Sequence, residues 1–394
     1  MRSSFLWNRK HLRSLFSGIA LYYLAENLWR TVLLWRVLTL THSSIWMGVA
    51  VLADTAPTIV VGVLGPHRGF GKTLSSVVGM QAVAMALGAL VISHNAAGLI
   101  ILAVVNGWGG ARVVPATQAL LMRTTANHDL GRASATFELA TRVGILAGPA
   151  LGGVVLTALP MAWVLWSLTG LFLLTLVLWR RLMEQTFVAP SSSMRGFRDA
   201  VKLVARDAFL ITALTIRGLT NLLWPAFTLA VPLLVLHVWE QGAAGYGILR
   251  SLWGLGTIVS TLWMVPMFLR RLQKMYFVSW MVTGAGFLMM GLSPGFGMAI
   301  GADIFGALGG PLVHVALDTH IGVHVDPSLQ GRIFAFQQLV MSLVSVIGLG
   351  LVSAALQVFH PWQVLSGAGF CIVIFAIAGL ARWGRMQHLV GIPD

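Results

Sequence analysis

The decisive stretch of this sequence is residues 144–153, which read Gly144-Ile145-Leu146-Ala147-Gly148-Pro149-Ala150-Leu151-Gly152-Gly153 inside a long apolar segment. Glycines at positions 144, 148 and 152 recur every four residues, so on a helix they form one face without side chains. Such a face lets a second helix approach closely, as helices do inside a lipid bilayer. Pro149 adds a weak point that neighbouring helices compensate in membrane proteins. The stretch therefore predicts a tightly packed membrane-spanning helix.

The composition of the whole chain agrees with a membrane protein. Of its 394 residues, 57% are hydrophobic and 10% are charged, whereas soluble domains carry about 25% charged residues. The mean hydropathy is +0.83. These values exclude soluble globular, disordered and disulfide-framework proteins, and the single Cys371 cannot form an internal disulfide. In a soluble protein the net charge of +14 would suggest nucleic acid, but basic cytoplasmic loops explain it here, so we expect no nucleic-acid partner.

Apolar runs of about 20 residues predict an all-α integral membrane protein with twelve transmembrane helices. With the N-terminus placed in the cytoplasm, the inner loops collect the basic residues and the outer loops collect no Lys or Arg. We therefore expect a multi-pass protein of the plasma or inner membrane, with both termini cytoplasmic and the lipid bilayer as its surroundings. The predicted spans lie near 15–40, 45–64, 73–93, 97–122, 133–157, 162–182, 208–238, 246–268, 275–292, 296–319, 333–356 and 363–383.

One connection is much longer than the others and divides the chain. It contains Pro190-Ser191-Ser192-Ser193, followed by basic residues spaced for one face of an amphipathic helix on the inner leaflet. The predicted organisation is an N-terminal six-helix bundle over residues 1–182, a cytoplasmic linker over 183–207 and a C-terminal six-helix bundle over 208–394.

The two predicted bundles look like repeats of each other. A shift of 200 residues places Gly109-Gly110 on Gly309-Gly310, and Gly131-Arg132 on Gly331-Arg332. Two repeated six-helix halves are typical of a transporter whose substrate site lies between the halves at mid-membrane.

At this point the chain resembles the major facilitator superfamily over nearly its full length. Residues 144–153 look like the family's antiporter motif, G-x-x-x-G-P-x-x-G-G, which is associated with exporters. Residues 62–72 resemble more loosely the loop pattern G-x-L-A-D-R-x-G-R-R, with Pro66 in place of the acidic residue. The resemblance implies alternating access in a monomer, and a gating or packing role for Gly144, Gly148, Pro149, Gly152, Gly153, Gly62, Gly69 and Arg68.

More diffuse signals resemble one branch of that family, the enterobactin exporters and macrolide-efflux pumps. They include Arg195-Gly196-Phe197-Arg198 in the linker and Tyr246-Gly247 at the start of the eighth span. This resemblance implies efflux and drug resistance as the biological context.

Ionisable side chains within the spans are functional candidates, because each costs about 2.5–3.5 kcal/mol to insert. Glu26 and Arg30 are four residues apart, as are Glu138 and Arg142. Each pair is either a structural ion pair that neutralises itself on one helix face or a proton-coupling carboxylate controlled by its arginine. The proton-coupling candidates are Glu26, Asp54, Glu138 and Asp303.

The resemblance also implies that spans one, four, seven and ten line the pathway. Embedded arginines outnumber embedded acids, and arginine favours planar carboxylate-like or catecholate-like groups. We therefore expect export of a small amphipathic neutral or anionic compound, drug-like or siderophore-like, in exchange for protons and without a cofactor. The substrate-cavity candidates are Arg30, Arg112, Arg142, Arg217, Asn221 and His314.

Two alternatives remain open from the sequence. His320 and His324 have a spacing that suits a metal on a helix, and with Asp318 they would fit a divalent-metal exporter similar to ferroportin. A membrane sensor or enzyme on the same scaffold is the other alternative, with His314 as a catalytic base. The sequence contains no nucleophile elbow, phosphate-binding loop or zinc-hydrolase signature, so we expect a protein that is not an enzyme.

Overall fold

The computed structural model of this chain describes residues 10–64, 73–92, 95–124, 130–179, 204, 207–268, 271–325 and 327–390. The predicted linker 183–207 lies outside the described residues except for 204 and 207, and Arg68 and Gly69 lie outside them as well. Gly62 falls within a described helix.

The described part of the first half forms six long helices. Their order along the chain matches the first six predicted spans, and α3 ends in a π-helical turn over Gly88–Ile92. The helices are α1 Lys10–Thr41, α2 Ser44–Leu64, α3 Thr73–Leu87, α4 Ala96–Thr124, α5 Leu130–Ala158 and α6 Met161–Trp179.

The described part of the second half forms six more. The eighth helix contains a π-helical turn over Ser260–Met264, and the tenth is interrupted at Leu308 and Gly309. The helices are α7 Ala208–His237, α8 Ala243–Val259 continuing to Val265–Phe268, α9 Leu272–Gly291, α10 Phe296–Ala307 with Gly310–His324, α11 Pro327–Val358 and α12 Pro361–Val390.

The all-α membrane fold predicted from the sequence is confirmed. Ten helical stretches of the described chain are long and apolar enough to cross a bilayer, and α1 and α9 are the two helices outside that set. No strand occurs among the described residues. Helices suit a bilayer because they satisfy every backbone hydrogen bond internally.

The chain separates into two compact units. Unit 1 comprises Met1–Ser191 together with Gly242–Ser251, and unit 2 comprises Ser192–Gln241 together with Leu252–Asp394. The first residues of α8 therefore cluster with unit 1, a detail absent from the predicted division at 183–207.

Within unit 1, the glycine face of α5 lies directly against α1. A Cβ added at Gly144 would lie 2.6 Å from the Leu24 amide nitrogen, and one at Gly148 would lie 2.8 Å from the Leu24 carbonyl oxygen. At Gly152 the Leu28 carbonyl oxygen would lie 3.2 Å away. The two backbones touch because no side chain separates them.

The two units repeat one packing detail that the shift of 200 residues relates. A Cβ added at Gly109 of α4 would lie 2.3 Å from Cδ of Gln81 in α3, and one at Gly309 would lie 2.2 Å from the Ser279 carbonyl oxygen of α9. The second glycine of each pair is open, since the nearest atoms would lie 3.8 Å away in both cases. Each unit therefore uses its first glycine for close packing against the preceding helix.

The α1–α5 contact predicts a measurable difference between two glycines. Gly148→Ala should lower the thermal stability of the detergent-solubilised protein, since overpacking costs about 1–3 kcal/mol. Gly170→Ala should be neutral or slightly stabilising, because an added Cβ at Gly170 meets nothing within 4 Å and alanine reduces the entropy of the unfolded chain. Equal melting temperatures for the two variants would contradict the packing argument.

Candidate functional site

A carboxylate is sealed inside unit 1 by two amide side chains. Glu26 of α1 is 4% exposed, and Gln81 of α3 and Asn106 of α4 are fully buried. Nε2 of Gln81 donates to Oε1 of Glu26 at 2.9 Å, and Nδ2 of Asn106 donates to Oε2 at 3.1 Å. Each carboxylate oxygen therefore has an amide donor, and these bonds offset part of the cost of burying the group.

An ion pair lies one turn further along α1. Nε of Arg30 donates to Oδ2 of Asp54 in α2 at 3.1 Å. Asp54 is 5% exposed, while the Arg30 side chain is 55% exposed, so the pair joins a buried carboxylate to an accessible guanidinium. Asp54 thus has the cross-helix partner that an isolated mid-span carboxylate needs, and Arg30 hydrogen-bonds to it rather than to Glu26. We call Glu26, Arg30, Asp54, Gln81 and Asn106 the Glu26 site.

The second pair seen in the sequence has a different character. Nη2 of Arg142 lies 2.8 Å from Oε1 of Glu138, four residues earlier on α5, and the Glu138 side chain is 54% exposed. The two residues neutralise each other on one helix face. The structure does not bring this pair into the Glu26 site.

Arg112 of α4 is held by an aromatic ring. Its guanidinium carbon lies 4.7 Å from the centroid of Trp108, a distance suited to a cation–π interaction.

The unit 2 candidates are distributed over several contacts. Nη2 of Arg217 in α7 lies 3.3 Å from Nδ1 of His314 in α10, so the structure brings together two residues 97 positions apart. Asn221 instead donates to the Met341 carbonyl oxygen of α11 at 2.8 Å, which is a helix-packing contact. Asp303 of α10 is fully buried.

The histidines of α10 lie in a network built on a residue that sequence reasoning missed. Nε2 of His320 lies 2.8 Å from Oδ2 of Asp207, and Nδ1 lies 2.9 Å from Nε2 of Gln273. With Nε2 as donor and Nδ1 as acceptor, both ring nitrogens are engaged. His324 stacks on His320 with ring centroids 4.2 Å apart, and its Nδ1 lies 3.1 Å from the His320 carbonyl oxygen.

The metal alternative stays a prediction, and this network already engages both ring nitrogens of His320. Among the described residues, no group of three or more His, Cys, Asp or Glu side chains is arranged to hold a metal ion. Asp318, the third residue of that alternative, is exposed on α10 and is not among the hydrogen-bond partners of His320.

Asp207 ties the start of α7 to α10. Its Oδ1 accepts from the Leu210 amide at 2.8 Å, which makes it the N-cap of α7. Burial by itself would raise the pKa of Asp207, but the bonds from His320 and from the α7 amides outweigh it and lower the pKa. The ionised carboxylate therefore stabilises unit 2 at neutral pH, and this contribution is lost only as the pH falls below the usual Asp value of about 3.9.

The sequence carried a signal for some of the residues that it did not single out. Gln81 and Asn106 are amides within otherwise apolar spans, and buried polar groups need partners, so each could have been paired with Glu26. Asp207 and Gln273 lie at helix starts, where polar residues are ordinary. Only the packing of α7, α9 and α10 shows that they meet His320.

Two units of long apolar helices, with charged groups buried inside unit 1, define a polytopic membrane protein of two helical bundles. The sequence profile of the Major Facilitator Superfamily matches residues 13–273. The chain belongs to this superfamily, which indicates a transporter rather than an enzyme.

Solved structures share the fold at low sequence identity. A POT family transporter in complex with 5-aminolevulinic acid gives a TM-score of 0.77 at 11% identity, covering 95% of this chain and 96% of that one. The nucleoside transporter NupG gives 0.69 at 13% identity, covering 94% and 98%. A bacterial homologue of the human lysosomal transporter Spinster gives 0.68 at 13% identity, covering 95% and 96%. No curated protein sequence matches the chain significantly.

The Asp207 network predicts a graded loss of stability. Asp207→Asn keeps a good N-cap but loses the charged partner of His320, so it should lower the melting temperature modestly. Asp207→Ala loses both the N-cap and the partner of His320, so it should lower the free energy of unfolding by about 0.5–2 kcal/mol more than Asp207→Asn. Thermal unfolding of both variants in detergent measures the difference, and identical melting temperatures for the two would show that the cap contributes nothing.

Proposed function

We propose that this protein is a proton-coupled secondary transporter that exports a small amphipathic neutral or anionic compound from the cell by alternating access. The observation that carries the proposal is the Glu26 site. A carboxylate there is buried and bonded to neutral amides, with an arginine–carboxylate pair one turn away. Ionisable groups inside membrane helices commonly mark ion or substrate pathways.

The proton-coupling role rests on what the burial of Glu26 permits. Two neutral amide donors stabilise the ionised form without supplying a positive charge, so the carboxyl group can be neutral or ionised at modest cost. Asp54 is the second carboxyl of the site, and its Oδ1 is buried with no hydrogen-bond partner among the described residues. One proton crossing 100 mV supplies about 2.3 kcal/mol, roughly a 50-fold substrate gradient.

The direction of transport rests on the glycine stretch of α5. Residues 144–153 resemble the exporter-associated motif of the superfamily, and their bare face packs on α1, the helix that carries Glu26 and Arg30. A motif that fixes the position of α1 also fixes the position of the proton-binding carboxylate. This arrangement, together with the resemblance to enterobactin exporters and macrolide-efflux pumps, favours export in exchange for protons and a role in drug or siderophore efflux at the cell membrane.

The substrate class follows from the Arg30 guanidinium. Its Nε is engaged by Asp54, and more than half of the side chain is exposed. The terminal amino groups form no hydrogen bond to any described residue, so the edge of the guanidinium that binds planar oxyanions in a bidentate manner is accessible. Arg217, beside His314 in unit 2, is the second cation proposed to bind substrate.

Proton coupling predicts opposite outcomes for two glutamates. In sealed proteoliposomes with an imposed pH gradient, Glu26→Gln should abolish gradient-driven transport because the side chain can no longer exchange a proton. Glu138→Gln, which alters only the exposed pair on α5, should retain most of the transport. The substrate panel contains an anionic siderophore, a macrolide, a lipophilic cation and a divalent metal. Full gradient-driven transport in Glu26→Gln would exclude this carboxylate as the coupling site.

The anion-binding role of Arg30 has its own control. Arg30→Gln should raise the half-saturating concentration of the anionic siderophore by about tenfold or more, since a charge-assisted hydrogen bond is worth about 1.5–3 kcal/mol. Arg142→Gln removes an arginine that already pairs with Glu138 and should leave that concentration nearly unchanged. An equal effect of the two substitutions would contradict the assignment.

A further inference from the structure

The Gln81 side chain has more acceptors than it can serve. Its Nε2 lies within hydrogen-bonding distance of Oε1 of Glu26 at 2.9 Å, Oδ1 of Asn106 at 3.1 Å, the Asn106 carbonyl oxygen at 3.2 Å and Oη of Tyr22 at 3.3 Å. An amide nitrogen carries two hydrogens. On the other side of the same amide, Oε1 is buried and has no hydrogen-bond partner among the described residues.

The amide donors on both oxygens of Glu26 suit its ionised form best, because a protonated carboxyl group has one O–H that itself needs an acceptor. An ionised carboxylate accepts hydrogen bonds, so Nε2 of Gln81 must face it. A protonated carboxyl group that places its O–H toward Gln81 needs an acceptor there instead. Half a turn about the last torsion of Gln81 exchanges Nε2 and Oε1, and this torsion has a broad, nearly two-fold profile.

We propose that Gln81 is a positioning residue whose amide reverses its orientation when Glu26 takes up a proton. In the reversed state, Oε1 of Gln81 accepts from the Glu26 carboxyl and from the Tyr22 hydroxyl, so the buried oxygen gains the partners that it lacks. Nε2 leaves the two Asn106 acceptors, and the hydrogen bonds between α3 and α4 are lost. The proposal rests on the proposed function, because it takes Glu26 as a group that exchanges protons.

Among the side chains around Glu26, Gln81 is the one that can reorient when Glu26 takes up a proton. On α1 these are Tyr22 and Arg30, and the Arg30 guanidinium is bonded to Asp54 of α2. The charged residues of the neighbouring helices are engaged elsewhere, with Arg112 of α4 over Trp108 and Glu138 of α5 paired with Arg142. The sequences of α3 and α6 contain no Asp, Glu, Lys, Arg or His.

Two adjacent glycines of α4 give a matched perturbation of the amide. A Cβ at Gly109 would lie 2.3 Å from Cδ and 2.4 Å from Nε2 of Gln81, so Gly109→Ala must displace that amide. A Cβ at Gly110 would lie 3.8 Å from Oε2 of Glu26 and 3.9 Å from Oη of Tyr22, which is ordinary contact. Gly110→Ala therefore makes the same chemical change on the same helix and leaves the amide in place.

The test is an infrared pH titration of the full-length protein in lipid, which needs no substrate. The carboxyl band of Glu26 is identified by its loss in Glu26→Gln, and the amide band of Gln81 by its loss in Gln81→Leu. We expect both bands to change with one shared pH midpoint in the wild type. In Gln81→Leu the midpoint of the Glu26 band should move upward by about one pH unit, because the ionised form loses a donor.

The glycine pair keeps the result interpretable if Gln81→Leu does not fold. Gly109→Ala should shift the midpoint of the Glu26 band in the same direction, and Gly110→Ala should leave it unchanged. A Gln81 band that does not change through the Glu26 titration overturns the proposal, as does an unchanged Glu26 midpoint in both Gln81→Leu and Gly109→Ala. If the Glu26 and Gln81 bands titrate together in the wild type while Glu26→Gln still shows transport driven by the pH gradient, the amide reversal stands and the proposed function fails.

Discussion

The structure of unit 1 depends on the burial of one carboxylate within a membrane bundle. Glu26 is on α1, and its two oxygens are bonded to amides of α3 and α4, so three helices must keep fixed positions for the group to remain satisfied. A buried charge without partners would be far more costly than any single packing contact. The Arg30–Asp54 pair adds α2 to the same set. The polar groups of the Glu26 site therefore determine how four helices of the unit are arranged.

The bare glycine face of α5 provides the complementary constraint, since it holds α1 from the other side. In lipid, helices gain little from hydrophobic association and depend on close backbone contact instead. Gly144, Gly148 and Gly152 supply that contact. The polar and apolar contacts of α1 thus support each other, because the glycine contact with α5 fixes the position of α1 and so places Glu26 within hydrogen-bonding distance of Gln81 and Asn106. A proton-dependent change at Gln81 would therefore alter the hydrogen bonds between α3 and α4 while the glycine contact keeps α1 in place.

The candidate site shows how far sequence reasoning reaches. Ionisable side chains inside apolar spans can be picked out as candidates without any structure, because each is costly to insert into a membrane. These candidates include Glu26, Arg30, Asp54, Arg217 and His314. Their partners are less visible. The spacing of four residues predicts an ion pair between Glu26 and Arg30 as strongly as one between Glu138 and Arg142. Only Glu138 and Arg142 form a direct hydrogen bond, since Arg30 bonds to Asp54 instead. The two histidines with metal-compatible spacing are engaged by Asp207 and Gln273, which lie far from them in the sequence.

By itself, the sequence determined the class of fold, the order of the long helices in the described part of the chain, and the stretch of α5 with a bare face. These features follow from local composition and from periodicity along a single helix, which are properties of contiguous residues. Only the tertiary structure decided that Asp54 pairs with Arg30, that two amides enclose Glu26, and that the first residues of α8 cluster with unit 1. Those contacts join helices that are distant in the chain, and their geometry depends on how backbones pack, which no single stretch of sequence specifies.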